Sequence, residues 1–294
     1  MGRIDVERAP YEEYTNRQLA AIPLVVLGIA LAIIAGAYVL TGAPVGLGFE
    51  FTGGTVIGFE ADDTSTNEIE ELLSEYETEY VRSVGIGGGS YEVATQLEGE
   101  QAEAIEQRII QEYGDGDDEV IDRVEQRSAS FGSDTQTQAI YGVLIAFTGM
   151  SVLVALMFRT FVPSIAVVVS AFSDIVVPVA LMNVFGIDLT LGAVAALLMI
   201  IGYSVDSDIL LNNHVLRRHG GFYESTYAAM RTGISMTLTS IAAMATMAVV
   251  SRLLGIPLLD DIALILVFGL VADLMNTYLL NISLLRWYKY EGVA

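Results

Sequence analysis

The sequence predicts a polytopic α-helical membrane protein with six transmembrane helices and one small α+β domain outside the membrane, between the first and second helices. Two observations carry this expectation. Hydrophobic residues make up 53% of the 294-residue chain and the mean hydropathy is +0.54, yet the formal net charge is −22. Such values coexist only when charge and apolar residues occupy different segments. Residues 41–134 hold 23 acidic and four basic residues, whereas most of the remainder is long apolar runs.

Six runs approach the ~20 residues needed to cross a bilayer: 19–40, 137–158, 162–185, 189–212, 229–251 and 262–285. The first is too long for a signal peptide's apolar core and reads as an uncleaved anchor. Orientation follows from arginines near the ends of the runs. Arg3, Arg8 and Arg17 lie in segment 1–18, Arg159 follows the second run, Arg217 and Arg218 lie in loop 213–228, and Arg286 and Lys289 lie in the tail 286–294. With six crossings all of these share one side, which makes both termini cytoplasmic and the acidic segment 41–136 extracytoplasmic. Arg252 is the exception, accompanied by Asp260 and Asp261.

Within the acidic segment, "GFEFTGGTVIGFE" (48–60) has strand-type residues with a Gly53-Gly54 interruption. "STNEIEELLSEYETE" opens with Ser65 and Glu68 at capping-box spacing and continues with helical periodicity. "YVRSVGI" and "YEVATQL" are two strands joined by a turn at 87–90, "EQAEAIEQRIIQEYG" is a helix closed by Gly114, and "EVIDRVEQ" is a last strand. The order β-α-β-β-α-β is the ferredoxin-like pattern. No histidine lies in the domain, and its carboxylates read as a solvated face, with no metal site, cofactor or enzymatic centre expected. The absence of cysteine excludes disulfides and thiolate chemistry. One lysine against thirteen arginines, beside the acidic excess, suits molar salt, where the Debye length falls to about 3 Å. A nucleic-acid partner is not expected of so acidic a chain.

The chemistry lies in the membrane runs. A carboxylate at bilayer depth costs roughly 2.5–3.5 kcal/mol on insertion scales, yet the fourth run contains both Asp206 and Asp208. Gly202, Asp206, Ile209 and Asn213 form one helical stripe, and Asp208 and Asn212 another. The third run adds Asp174, one turn before Pro178; the fifth adds Arg231, Ser235, Thr239 and Thr246; the sixth adds Asp273, Asn276, Thr277 and Asn281. The expectation is that these polar faces meet around a hydrated interior. Asp206, Asp208, Asp273 and Asp174 are the candidate ion- or proton-carrying groups, with Ser204, Ser235, Thr239, Asn276 and Arg231 as polar support. Serine, threonine and asparagine also serve as helix–helix glue at about 0.6 kcal/mol each, but glue does not call for an ionisable group.

"FEFTGGT" directly after the first run, an outer domain, and "IGYSVDSDILL" in the fourth of six runs together resemble the SecF family of protein-export membrane proteins, within the resistance–nodulation–division superfamily. The likeness covers essentially the whole chain, and "MTLTS" and "DLMNTY" are similar to the archaeal form. It implies a SecD partner, the Sec translocon channel, secreted polypeptides as cargo, and a proton or sodium gradient as the drive, all at the cytoplasmic membrane. It marks Phe51, Thr52, Gly53 and Gly54 as a family motif. In the bacterial SecF pattern an Asn-Asp pair follows "GYS" after one residue. Here Asp206 and Ser207 stand at those places, and the sister SecD pattern has its Asp where Asp206 stands, so the ion-coupling role falls on Asp206 with Asp208 able to share the proton. The bacterial span-five arginine corresponds to Ser235, with Arg231 one turn earlier, and Asp174 matches an Asp of the family's third span. Three rival readings are an efflux-type transporter unit of the same superfamily, an intramembrane aspartyl protease with Asp206 and Asp273 as its dyad, and a structural subunit in which no carboxylate titrates.

Overall fold

The computed structural model describes residues 10–62, 64–85, 88–114, 120–217 and 221–290. Arg3, Arg8, Arg218, Gly87 and the side chain of Arg217, on which part of the expected orientation and one expected turn depend, lie outside the described residues. In chain order, α1 (Asn16–Thr41) leads to α2 (Phe49–Thr52), β1 (Gly54–Glu60), α3 (Thr66–Leu72), β2 (Thr78–Ser83), β3 (Ser90–Thr95), α4 (Glu100–Tyr113) and β4 (Ile121–Arg127). Then follow α5 (Ala129–Phe158), α6 (Phe161–Phe185), α7 (Leu191–Arg217), α8 (Phe222–Leu253), α9 (Pro257–Met275), a π-helical turn (Asn276–Asn281) and α10 (Ile282–Tyr290). Among the described residues five helices, α1, α5, α6, α7 and α8, are long and apolar enough to cross a membrane. The sixth expected run is helical too, but α9 carries Asp260, Asp261 and Asp273 and passes through the π-helical turn before α10.

The sheet has the order β2-β3-β1-β4 with every pair antiparallel. Side chains alternate across it. One face sets Ile57, Phe59 and Val93 against Ile69 and Leu73, with Ile105 and Ile109 of α4 in the same core. At the start of α3, Glu68 accepts the Ser65 N–H (2.8 Å), the expected capping interaction, and hydrogen bonds from Ser65 and Thr64 hold its carboxyl below the usual range. The opposite face packs Val56, Ala94 and Tyr80 against Phe49.

On that second face Glu92 is buried and receives Arg82 Nε and Nη2 (3.0 and 2.9 Å) and Arg123 Nη2 (3.3 Å). Arg82→Ala removes the two-point partner of a buried carboxylate and leaves only the longer bond. The expected loss is about 1–2 kcal/mol of outer-domain stability, read as a lower midpoint in thermal unfolding of the purified chain, with Arg82→Lys recovering part of it.

Several element boundaries differ from the sequence expectation. The expected strand over 48–60 begins as the helical turn α2, because Gly53 N–H closes onto Phe49 O (3.0 Å) and the positive φ of Gly53 and Gly54 turns the chain into β1. The helix expected from residue 137 starts at Ala129, where Ser128 Oγ caps the Phe131 N–H, so the polar stretch after β4 is helical as well. Most of the expected loop 213–228 is the end of α7 and the start of α8.

Two backbone contacts tie the sheet domain to the loops of the helical part. Leu189 N–H donates to Gly46 O (2.7 Å) and Gly48 N–H to Leu189 O (2.9 Å), while Gly85 N–H donates to Gly255 O (2.8 Å). Asp188 lies against Gly46, and burial, with Glu79 nearby, raises its carboxyl above the ordinary range. At the other end Arg286 is a structural anchor as well as a charge marker. Buried, it donates to Tyr11 O and Tyr14 O (2.7 Å each) and to Asn16 Oδ1, holding the segment before α1 against α10.

Candidate functional site

Helices α6, α7 and α9 pack on one another. The α7–α9 approach is close enough that a Cβ on Gly269 would collide with Ile200. Along α7, Ser204, Asp208, Asn212 and Val215 are buried at spacings of one helical turn, so this stripe faces the neighbouring helices. In α6, Pro178 lacks the N–H that would bond the carbonyl of Asp174, loosening the helix where that carboxylate sits. After α9, the π-helical turn changes the angular spacing of side chains. Asn276 and Asn281 would lie about 140° apart on an α-helix; i→i+5 bonding brings them towards one face.

The result is a cluster of three carboxylates at 0–1% exposure. Asp174 accepts Ser204 Oγ and Asn276 Nδ2, each at 2.6 Å. Asp208 Oδ1 accepts Thr277 Oγ1 (2.9 Å) and Asn281 Nδ2 (2.8 Å). Asp273 Oδ1 accepts Ser207 Oγ (2.6 Å) and Thr277 Oγ1 (3.2 Å). Every one of these donors is neutral. The four ion pairs among the described residues all lie in the sheet domain, so the cluster has no cationic side chain to balance it. Three bare anions without a cationic partner are not sustainable in a low-dielectric interior. The arrangement is suited to taking up and releasing protons or a cation.

Of the residues singled out in the sequence, Asp174, Asp208, Asp273, Ser204 and Asn276 come together. Asp206 does not. Two residues from Asp208, it points about 200° away around the helix, onto an exposed stripe with Ala195, Met199 and Gly202, and makes no hydrogen bond or ion pair among the described residues. The structure therefore places Asp206, expected to be the principal ion-carrying group, apart from the cluster that Asp208 joins, and on the side of α7 away from Asp273. Ser235 and Thr239 bond their own helix carbonyls (2.9 and 2.7 Å), and Arg231 is half-buried on α8 without an ion-pair partner among the described residues. The cluster also draws in Ser207, Thr277 and Asn281. Thr277 and Asn281 had a signal of spacing in the sequence, each following the previous polar residue of the 273–277–281 series by four positions. Phe51, Thr52, Gly53 and Gly54 form the junction of α2, β1 and α5, where Gly132 of α5 approaches the backbone of Phe51 and Gly53.

The fold and these groups define a polytopic membrane protein with ionisable side chains sealed among its central helices. The family described as "Protein export membrane protein SecD/SecF, C-terminal" matches residues 107–291. The protein-export membrane protein SecF of Haloquadratum walsbyi is 59% identical over 294 residues, and that of Haloferax volcanii 58% over 296, each alignment covering all of both chains. The fold is also similar to the crystal structure of SecDF, a translocon-associated membrane protein from Thermus thermophilus, with a TM-score of 0.71 and 20% identity over 96% of this chain. This chain spans 39% of the length of that one. The chain belongs to the SecF family of protein-export membrane proteins, and is a protein-export component of the cell membrane.

Proposed function

We propose that the chain pairs with a SecD-type partner beside the Sec translocon channel, and that a proton or cation gradient, acting through Asp174, Asp208 and Asp273, drives its contribution to the outward movement of secreted polypeptides. The observation that carries the drive is the cluster itself, three buried carboxylates held only by neutral donors. Moving one charge across the membrane potential is worth about 2.3 kcal/mol per 100 mV, enough to bias the rocking of packed helices. Motion of the α6–α7 and α8–α9 loops would reach the outer domain through the Leu47–Leu189 and Gly85–Gly255 contacts.

In this reading the chain crosses the bilayer six times, with α9, the π-helical turn and α10 as the last crossing, and both termini are cytoplasmic. Residues 41–136 form a ferredoxin-like extracytoplasmic domain, a reading supported by the strand order β2-β3-β1-β4 and the two helices on one face. The exposed stripe of α7 that carries Asp206 is the face proposed to meet SecD, since a carboxylate turned towards lipid is costly. Copurification tests the partnership. The chain isolated from its native membrane in mild detergent is expected to bring down a SecD-type protein in fixed ratio, and recovery as a stable lone monomer would count against it.

A further inference from the structure

Where α1 begins and α10 ends, a cavity of about 780 Å³ opens among Tyr14, Arg17, Arg286, Trp287 and Tyr290. Its size falls within the roughly 300–1,000 Å³ of small-molecule sites. Arg286 is only 8% exposed, yet it has no ion-pair partner among the described residues. A buried charge without a counterion is costly. Its hydrogen bonds run to the Tyr11 and Tyr14 carbonyls and to Asn16 Oδ1, all neutral acceptors. A guanidinium has five N–H groups, so one hydrogen on each Nη is left over. Arg17 lines the same cavity, is exposed, and makes neither a hydrogen bond nor an ion pair through its side chain among the described residues. Glu12 also lines it but pairs with neither arginine.

The start of α1 adds to this positive field. Thr15 takes the N–H groups of Gln18 and Leu19, which leaves those of Asn16 and Arg17 without a partner in the helix, at its positive end. These groups suit an anion with several oxygens, and phosphate matches guanidinium groups two bonds at a time. The surroundings indicate which phosphate. Tyr14, Trp287 and Tyr290 are exposed, and tyrosine and tryptophan favour the boundary between membrane and water. From Arg17 an exposed stripe continues along α1 through Ala21, Leu24, Gly28 and Leu31. It is an apolar track for a hydrocarbon chain whose headgroup sits at the cavity. Free inorganic phosphate gains nothing from such a track.

We propose that Arg17, Arg286 and the first turn of α1 form a site for the phosphate of an anionic membrane lipid, with Trp287 in its wall. The site is independent of the carboxylate cluster and of the ion-coupled reading.

Trp287, the single tryptophan of the chain, reports on its own surroundings. The purified full chain in neutral detergent micelles is titrated at constant ionic strength with short-chain phosphatidylglycerol. Parallel titrations use inorganic phosphate and phosphatidylcholine of the same chain length, whose phosphate is neutralised by its own choline. Phosphatidylglycerol is expected to change the tryptophan emission saturably, and neither of the others to do so in the same range. Arg17→Gln is expected to raise the half-saturating concentration about tenfold, and Arg17→Lys to recover part of that loss. Arg286→Gln is expected to lose the response; because Arg286 also anchors the segment before α1, the Arg17 series decides if that variant fails to fold. Equal responses to the two lipids would reduce the contact to ordinary solvation by the micelle and overturn the site. A response to inorganic phosphate matching that to phosphatidylglycerol would assign free phosphate and overturn the lipid. An Arg17→Gln titration that coincides with the parent's would overturn the phosphate contact.

Discussion

Asp208→Asn is expected to abolish the gradient-stimulated part of export while leaving the chain folded, inserted and assembled. The side chains are nearly the same size, and the carbonyl oxygen of the substituted amide can still accept from Thr277 and Asn281, as Asp208 Oδ1 does. The new NH2 group replaces Oδ2, which has no partner, and supplies a donor to a neighbourhood where Asn276 Oδ1 and Asn281 Oδ1 lack one. Replacing a buried charge by a neutral group that keeps its hydrogen bonds is often neutral or stabilising, so the variant is expected to unfold at the same temperature as the parent or slightly higher. What it loses is the ability to change charge. In a pulse-chase measurement of a secreted reporter, export in the variant should match export by the unaltered chain after the gradient is collapsed, and adding an uncoupler should slow the variant no further. Export in the variant that still falls when the gradient is collapsed would refute the coupling role. The combination of retained stability and lost drive separates this outcome from a folding defect, which would lower both.

The sequence made some of this legible and hid the rest for identifiable reasons. Long apolar runs mark helices reliably because the bilayer demands about 20 apolar residues at a stretch, and carboxylates inside those runs stand out because each is costly there. Helix ends are another matter. The polar stretch from Ala129 has no apolar signature, yet it continues as helix once Ser128 caps it. The rotation of each helix is the deeper difficulty. In water a helix shows which side is buried by the contrast of apolar and polar faces, but in lipid the outer face is as apolar as the inner one. Asp206 and Asp208 therefore appeared on two equally plausible stripes, and the position of the family motif favoured the one that the fold turns outward. The π-helical turn is invisible for a different reason. "NTYLLN" contains nothing that distinguishes i→i+5 from i→i+4 bonding, so the sequence shows a largely one-sided polar series in this run without the local change of helical pitch that adjusts Asn276 and Asn281.

Gly53→Ala is expected to be among the most damaging single substitutions outside the membrane helices. Gly53 has φ 79° and ψ −174°, a region essentially restricted to glycine, and Gly54 follows with φ 119°. Space is lacking as well as conformational freedom. A Cβ on Gly53 would stand 2.7 Å from Ala129 N and 2.8 Å from Ala129 Cα, both backbone atoms of the first turn of α5 that cannot swing aside as a side chain would. Strain at such a position costs about 1–3 kcal/mol, and forcing α2 away from α5 adds to it. A total of about 3–5 kcal/mol is a large share of the 5–15 kcal/mol that typically holds a domain together. The motif joins the exit of α2, the start of β1 and the start of α5, so its failure would separate the outer domain from the helix that continues it. Gly53→Ala protein should accumulate in the membrane at a small fraction of the parent level by immunoblot, and the remainder should be cut by protease between β4 and α5. Gly36→Ala is the matched control. It lies in α1 with nothing within 4 Å of the added Cβ and no positive φ, and it is expected to leave both the level and the cleavage pattern unchanged. Equal accumulation of the two variants would mean that the glycine pair is tolerant of a side chain and that the junction does not depend on it.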